Sequence, residues 1–320
     1  MTSKGPQIPI AYIGGSPRSG STILAYLTAH AFDGVVVGEL KDIWHRGPIE
    51  NQRCGCGEQF RSCEFWTSVG EQAFGGWDTL PLHRLVNLQR RIDRFRTFPM
   101  LIAPRMTRLR DPGFASGLRE YRDILVSLYR ALLEVSGRSL IVESSKHPAQ
   151  ALVLAQSREL EPRVIHLVRD SRGVAWSFQK QVVRPEVSDR RLMPQAASGR
   201  AAFQWTLNNL PFHLLWTRSV PQVLVRYESY VGNPMRELDR IGRLLARDNG
   251  LHSSSDLQLD FANEHSLGGN PVRFTGQALE LKLDDEWRTA MVRRDRLRVV
   301  GLTLPLLAAY GYLPAVSADV

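Results

Sequence analysis

Apolar positions in this chain come in short unbroken runs separated by longer stretches in which they recur every three or four residues. The runs lie at Ile8–Gly14, Val35–Val37, Leu140–Glu143, Val164–Val168 and Gln222–Tyr227. Short β-branched runs without alternation predict strands covered on both faces. The intervening periodicity predicts helices at Ser21–Ala31, Arg119–Val135, Ala149–Glu159, Ser171–Gln181 and Gly199–Ser219. Strand and helix in alternation predict an α/β fold with a parallel sheet. Residues 44–118 interrupt that alternation and read as an insertion. Arg184 to Gly199, with Pro185, Pro194 and mixed charge, reads as a loop and a candidate lid. Val299 to Leu313 predicts a pair of packing helices, because Gly301, Pro305 and Gly311 break it short of a membrane span.

The first strand runs out at Gly14-Gly15 and passes through Ser16-Pro17-Arg18-Ser19 into a helix pattern at Gly20-Ser21-Thr22. A strand, a glycine loop and a helix N-terminus together offer several backbone N–H groups and a positive dipole end to a phosphate. The spacing of Gly15, Gly20 and Thr22 nearly matches the phosphate loop of ATPases and kinases. Ser21 stands where that loop needs lysine, and the basic residue is Arg18 instead. The loop therefore suits a phosphate without the usual handling of a magnesium nucleotide. A second candidate is Arg169, at the C-terminal end of the strand Val164–Val168, where ligands of open α/β sheets bind. Ser177 follows about two helical turns later. A guanidinium fork and a hydroxyl suit an isolated phosphate; an Arg-Asp surface pair with a helix-facing Ser is the plainer alternative.

Gly-Ser-Pro-Arg-Ser-Gly-Ser-Thr at 15–22, with Leu-Val-Arg-Asp-Ser-Arg-Gly-Val-Ala-Trp-Ser at 167–177, resembles the sulfotransferases that use 3′-phosphoadenosine 5′-phosphosulfate (PAPS). Val-Gly-Glu-Leu at 37–40, Val-Glu-Ser-Ser-Lys at 142–146 and Gly-Asn-Pro-Val-Arg-Phe at 269–274 look like the bacterial branch related to carbohydrate and tyrosyl-protein sulfotransferases. The resemblance runs from residue 8 to about 290. It implies a single sulfotransferase domain over 1–320 with a P-loop-like three-layer fold, a central parallel sheet flanked by helices. The insertion at 44–118 would then cover the acceptor side. The resemblance implies that Arg18, Ser19, Gly20, Ser21 and Thr22, with Gly15, Ser16 and Pro17 of the same loop, hold the 5′-phosphosulfate. It places Arg169 and Ser177 at the 3′-phosphate.

Such an enzyme moves a sulfuryl group from PAPS to an acceptor hydroxyl or amine by in-line displacement, leaving adenosine 3′,5′-bisphosphate. The transfer needs positioning, cations for the bridging oxygen and a base, and no metal. Glu39 follows a strand at the expected cleft end, and the resemblance puts a catalytic glutamate in this Gly-Glu context. A helix N-terminal charge is its plainer reading. Arg18 suits the leaving phosphate, and Lys146 lies after a strand beside it. Asn270, Arg273 and Tyr227 are further cofactor-side candidates, although Asn-Pro is also a turn signal. Glu143 and His45 are reserve bases. A P-loop-type small-molecule kinase and a non-catalytic nucleotide-binding module are the competing readings. The acceptor is a small molecule, carbohydrate, lipid or peptide.

Net charge is +9 and the sequence pI is about 9.8. Much of the excess lies in 84–110, where Arg84, Arg90, Arg91, Arg94 and Arg96 interleave with Leu85, Leu88, Ile92 and Phe95, and Arg105, Arg108 and Arg110 follow. This basic amphipathic stretch is a solvated face, an acceptor rim or a peripheral membrane contact. No zinc finger, helix-turn-helix or aromatic RNA-binding signature supports nucleic acid. Met1 to Gln7 is polar and precedes only a short apolar run, so a cytoplasmic chain is expected. The three cysteines, Cys54, Cys56 and Cys63, all fall in the insertion. Free thiols in a packed knuckle, a disulfide and a metal site all remain open, with His45 the nearest fourth ligand. Cys-x-Cys is not the usual zinc spacing, and no metal is assigned.

Overall fold

The apolar runs fold as strands β1 (Ile8–Gly15), β2 (Gly34–Gly38), β3 (Leu140–Lys146), β4 (Leu160–Val168) and β5 (Gln222–Arg226). All neighbours pair in parallel, in the order β2-β3-β1-β4-β5. This is a computed structural model, and it describes residues 7–92, 97–103, 111–183, 192–216, 220–251, 264–274 and 281–313. The expected three-layer α/β fold with a central parallel sheet is present.

Both faces of the sheet are covered, which is why the strands lack alternation. Ala11 and Ile13 of β1 pack on one side with α1 (Ser21–Ala31) and α10 (Pro234–Leu245). Ile10 and Tyr12 pack on the other side, where α5 (Pro112–Ser136), α6 (Pro148–Ala155) and the end of α8 (Ser198–Trp216) contribute Leu125, Leu152 and Phe212. A third apolar cluster joins α7 (Ser171–Ser177), the start of α8, α11 (Trp287–Ala290) and α12 (Arg293–Ala309) around Trp205.

Several expected boundaries move for local reasons. α5 begins at Pro112, not Arg119, because Asp111 caps it by accepting from Phe114 N at 2.8 Å and Pro112 suits the first turn. The insertion is thereby shortened, and it folds as α2 (Glu64–Phe74), α3 (Leu82–Ile92) and α4 (Phe98–Ile102). β4 begins at Leu160, four residues earlier than its apolar run. α6 and α7 stop at Ala155 and Ser177, short of Glu159 and Gln181. Tyr227 opens α9 (Tyr227–Gly232) instead of closing β5. The C-terminal segment is one helix, α12, with Pro305 inside it, not a pair. Among the described residues no helix is long and apolar enough to cross a membrane.

The apolar side of α3 is turned inward, with Leu85, Val86 and Ile92 buried. Arg84 pairs with Glu120 at 2.8 Å and Arg91 with Asp111 at 3.6 Å. The described part of the basic stretch therefore presents charge outward and no apolar face. Arg94, Phe95, Arg96, Arg105, Arg108 and Arg110 lie outside the described residues, as do positions 184–191 of the candidate lid and 217–219 of the helix expected to reach Ser219.

Gly15 joins β1 to β4 so closely that a Cβ there would sit 2.1 Å from Leu167 O, at a φ of +127°. Gly15→Ala is expected to lower stability by about 1–3 kcal/mol from backbone strain alone. Urea unfolding measures it, and an unchanged midpoint would contradict this account of the loop.

Candidate functional site

With every strand parallel, the C-terminal ends of all five meet along one edge. In spatial order they carry Glu39 after β2, Lys146 on β3, the glycine loop after β1, Arg169 after β4 and Tyr227 after β5. The sheet order places the loop in the middle, where the connections of an open α/β sheet diverge and leave a crevice.

The loop residues 16–20 lead straight into α1. The first internal bond of that helix is Leu24 N to Gly20 O at 3.2 Å, so the preceding amides have no partner within the helix. The hydroxyls of Ser16 and Ser19 are buried and have no hydrogen-bond partner among the described residues. Gly20 has φ +85°, and a Cβ there would meet Tyr230 Oη at 2.3 Å and Tyr227 Cδ2 at 2.8 Å. Tyr230 Oη donates to Gly20 O at 3.0 Å. Thr22 Oγ1 accepts from Asn270 N at 3.0 Å, which brings the 269–274 segment onto the helix N-terminus. Arg18 holds a φ of +67°, a strained conformation for a residue with a Cβ. Its guanidinium reaches Met193 Sδ at 3.0 Å and lies 5.6 Å from the Phe178 ring.

On the β3 side, Glu39 is held by two cations. Lys146 Nζ meets Glu39 Oε1 at 2.5 Å and Arg46 Nη1 meets Oε2 at 2.7 Å. Arg46 also pairs with Asp42 at 2.9 Å. Burial pushes the Glu39 carboxyl up, but Lys146 and Arg46 outweigh it and hold it at about 2. Lys146 sits at φ +63° opposite Gly14, where the β1–β3 register shifts. Residues 264–269 wall this end. Leu267 N donates to Val37 O at 3.1 Å and Glu39 N to Leu267 O at 2.7 Å. Gly268 has φ +73°, and a Cβ there would lie 2.3 Å from Arg46 Nη1 and 3.2 Å from Glu39 Oε2. Only glycine fits.

On the β4 side, Arg169 is 6% exposed. It donates to Arg18 O at 3.2 Å, pairs with Asp284 at 3.1 Å and lies 4.5 Å from the Tyr227 ring. Lys180 reaches the same Asp284 carboxylate at 3.4 Å. Burial pushes the Asp284 carboxyl up, and Arg169 and Lys180 pull it below its ordinary value. Tyr227 Oη accepts from Asp284 N at 3.1 Å, fixing the carboxylate over the arginine.

The remaining expected residues take these positions. Ser177 is the partly exposed last residue of α7. Arg273 is 1% exposed and braces the wall by donating to Ser266 O at 2.6 Å. Glu143 is buried beneath the sheet and accepts from Tyr129 Oη and Ser145 Oγ. Burial pushes its carboxyl up to about 7, against the pull of those hydroxyls. His45 pairs with Glu50 at 3.5 Å and is not beside the cysteines, which are free. The histidine beside them is His265. Nothing in the sequence points to Arg46, Asp284 or His265, because each sits in a polar segment without periodicity and finds its partner through the fold.

No protein-family model and no curated protein matches the chain. Among solved structures it is similar to the sulfotransferase domain from the Synechococcus PCC 7002 olefin synthase, at 22% identity, 96% coverage of each chain and a TM-score of 0.47. It is also similar to the sulfotransferase domain from the curacin biosynthetic pathway, at 19% identity, covering 93% of this chain and 98% of that one with a TM-score of 0.48. Sulfotransferase STF1 from Mycobacterium tuberculosis H37Rv is a third, at 13% identity, 93% and 78% coverage and a TM-score of 0.39. Likeness at this level assigns no activity, which rests on the residues of the site.

The clamped Glu39 makes a prediction about pH. Its folded value of about 2 lies below the ordinary 4.5, so its stabilising effect is full above about pH 4.5 and fades as pH falls toward 2. The stability difference between wild type and Glu39→Gln should be constant from about pH 5 to 8 and shrink below 4.5. Urea unfolding across that range is the check, and a difference that grows on acidification would contradict the ion-pair assignment.

Proposed function

We propose that this chain is a PAPS-dependent sulfotransferase. The observation that carries the reading is a phosphate-type loop without its lysine, flanked on one sheet edge by Lys146 and Arg169. A nucleoside carrying anionic groups at both its 5′ and 3′ positions has the charge pattern that loop and arginine can meet separately. The buried hydroxyls of Ser16 and Ser19, without partners among the described residues, fit an oxygen-rich anion in the loop. Ser21, in the position of the P-loop lysine, disfavours an ATP-magnesium kinase.

Bound PAPS would supply an activated sulfuryl group with adenosine 3′,5′-bisphosphate as the leaving group. In this reading the amides at the start of α1, with Ser16, Ser19, Ser21 and Thr22, hold the 5′ end. Arg169, backed by Tyr227, takes the 3′-phosphate and gives up Asp284. Lys146 neutralises charge that builds on the bridging oxygen. Glu39 takes the proton of an acceptor hydroxyl or amine. A carboxylate held at about 2 is a weak base, so Lys146 must leave Glu39 for the donor before Glu39 can accept a proton. The same clamp favours one competing reading, a nucleotide-binding module without turnover. The acceptor is a small molecule, carbohydrate, lipid or peptide, and the transfer step itself uses no metal.

Ligand preference tests the reading. Adenosine 3′,5′-bisphosphate should raise the melting temperature of the full chain, and ATP with magnesium should not. Arg169→Ala should weaken adenosine 3′,5′-bisphosphate by roughly 1.5–3 kcal/mol in calorimetry, the loss of one charge-assisted contact. Stabilisation by ATP-magnesium alone, or equal affinity in the variant, would overturn the assignment.

A further inference from the structure

We propose that Cys54, Cys56, Cys63 and His265 bind one zinc ion, which fastens the wall of the candidate site to the cysteine loop. Their donor atoms lie within 4.8 Å of one another. Cys63 Sγ is 3.7 Å from both Cys54 Sγ and Cys56 Sγ. His265 Nδ1 is 3.3 Å from Cys63 Sγ and 3.8 Å from Cys54 Sγ. Tetrahedral zinc, with Zn–S of about 2.3 Å and Zn–N of about 2.0–2.1 Å, sets edges of about 3.8 Å between sulfurs and about 3.6 Å between sulfur and nitrogen. These four separations are close to those edges. A disulfide would need two sulfurs at about 2.05 Å and would leave the third thiol and the imidazole with no shared task.

The donors are held before any ion arrives. Cys54 and Cys63 are 0% and 1% exposed, while Cys56 and His265 are partly exposed. Cys54 N donates to Glu58 O at 2.8 Å and Gly57 N to Cys54 O at 3.0 Å, a tight knuckle with Gly57 at φ +95°. Cys63 stands at the N-cap position of α2, the positive end of that helix. The His265 ring stacks on Phe65 at 4.6 Å and 9°, which fixes its orientation. The fourth donor comes from 202 residues beyond Cys63, so the fold completes the set and local spacing does not.

Four protein donors close the tetrahedron and leave no position for a reacting water, so the ion is structural. Binding releases thiol protons, and its free energy becomes folding free energy. What it holds is the wall. Gly55 N donates to Ser266 O at 2.9 Å, the next residue makes both backbone bonds to the β2 end, and Gly268 fits against Glu39 and Arg46. One ion therefore ties the insertion to the segment that lies between Glu39 and the start of α1.

The full chain, purified without chelator and dialysed, should carry about one zinc per chain by elemental mass spectrometry. His265→Ala should lose most of it, and His265→Cys, which restores a donor, should keep it. Cobalt(II) added to chelator-stripped wild type should give the d–d and thiolate charge-transfer bands of a tetrahedral site, a readout that needs no variant to fold. A wild-type chain with no zinc and no such cobalt spectrum would overturn the proposal. So would an intact mass two hydrogens light from a disulfide, a stoichiometric iron content in place of zinc, or zinc lost in His45→Ala and kept in His265→Ala.

Discussion

The candidate site depends first on one carboxylate shared between two cations. Glu39 joins the end of β2 to the end of β3 through Lys146 and reaches the following turn through Arg46. Partly buried charges of this kind persist only when each finds its partner, and removing one leaves another uncompensated. That requirement explains nearby choices that look unrelated in sequence. Gly268 leaves room for the Arg46–Glu39 pair, and Lys146 accepts a strained backbone so that its ammonium reaches across the strand end.

The other side of the loop repeats the device. Arg169 rests on Asp284 as Lys146 rests on Glu39, so each cation that flanks the loop has a carboxylate partner at rest. A chain with a net charge of +9 thus sets a carboxylate against each of these two cations. An arriving dianion would exchange partners with a carboxylate instead of entering a site of unpaired cations. Under the proposed function the exchange on the β3 side also has a chemical result, because a Glu39 released from Lys146 becomes basic enough to take a proton.

The strands were legible because both sheet faces are covered and their residues form unbroken apolar runs. The helix Ser21–Ala31 was legible to its last residue, since Gly20 and the loop before it mark its start. Leu160 to Arg163 is strand that the sequence does not reveal, because Glu161 and Pro162 do not look like strand. Those residues pair only with β1, since β5 joins from Val164, and Pro162 needs no amide on the open side. Arg18, Lys146, Arg169, Tyr227 and Asn270 were read from the sequence as site residues, and the fold brings them to one edge or beside the loop. The partners were not legible. Asp284 over Arg169, Arg46 on Glu39 and His265 among the cysteines are set by tertiary approach, and local spacing pointed to His45 instead.

Under the proposed function this edge of the sheet transfers a sulfuryl group. Incubation of the full chain with PAPS and a panel of hydroxyl and amine acceptors, read by mass spectrometry, tests it most directly. The expected result is a product heavier by one SO3 group together with adenosine 3′,5′-bisphosphate, and a loss of about 10²–10⁴ in rate for Glu39→Gln with cofactor affinity kept. Binding of PAPS without turnover on any acceptor, or full turnover by Glu39→Gln, would contradict it.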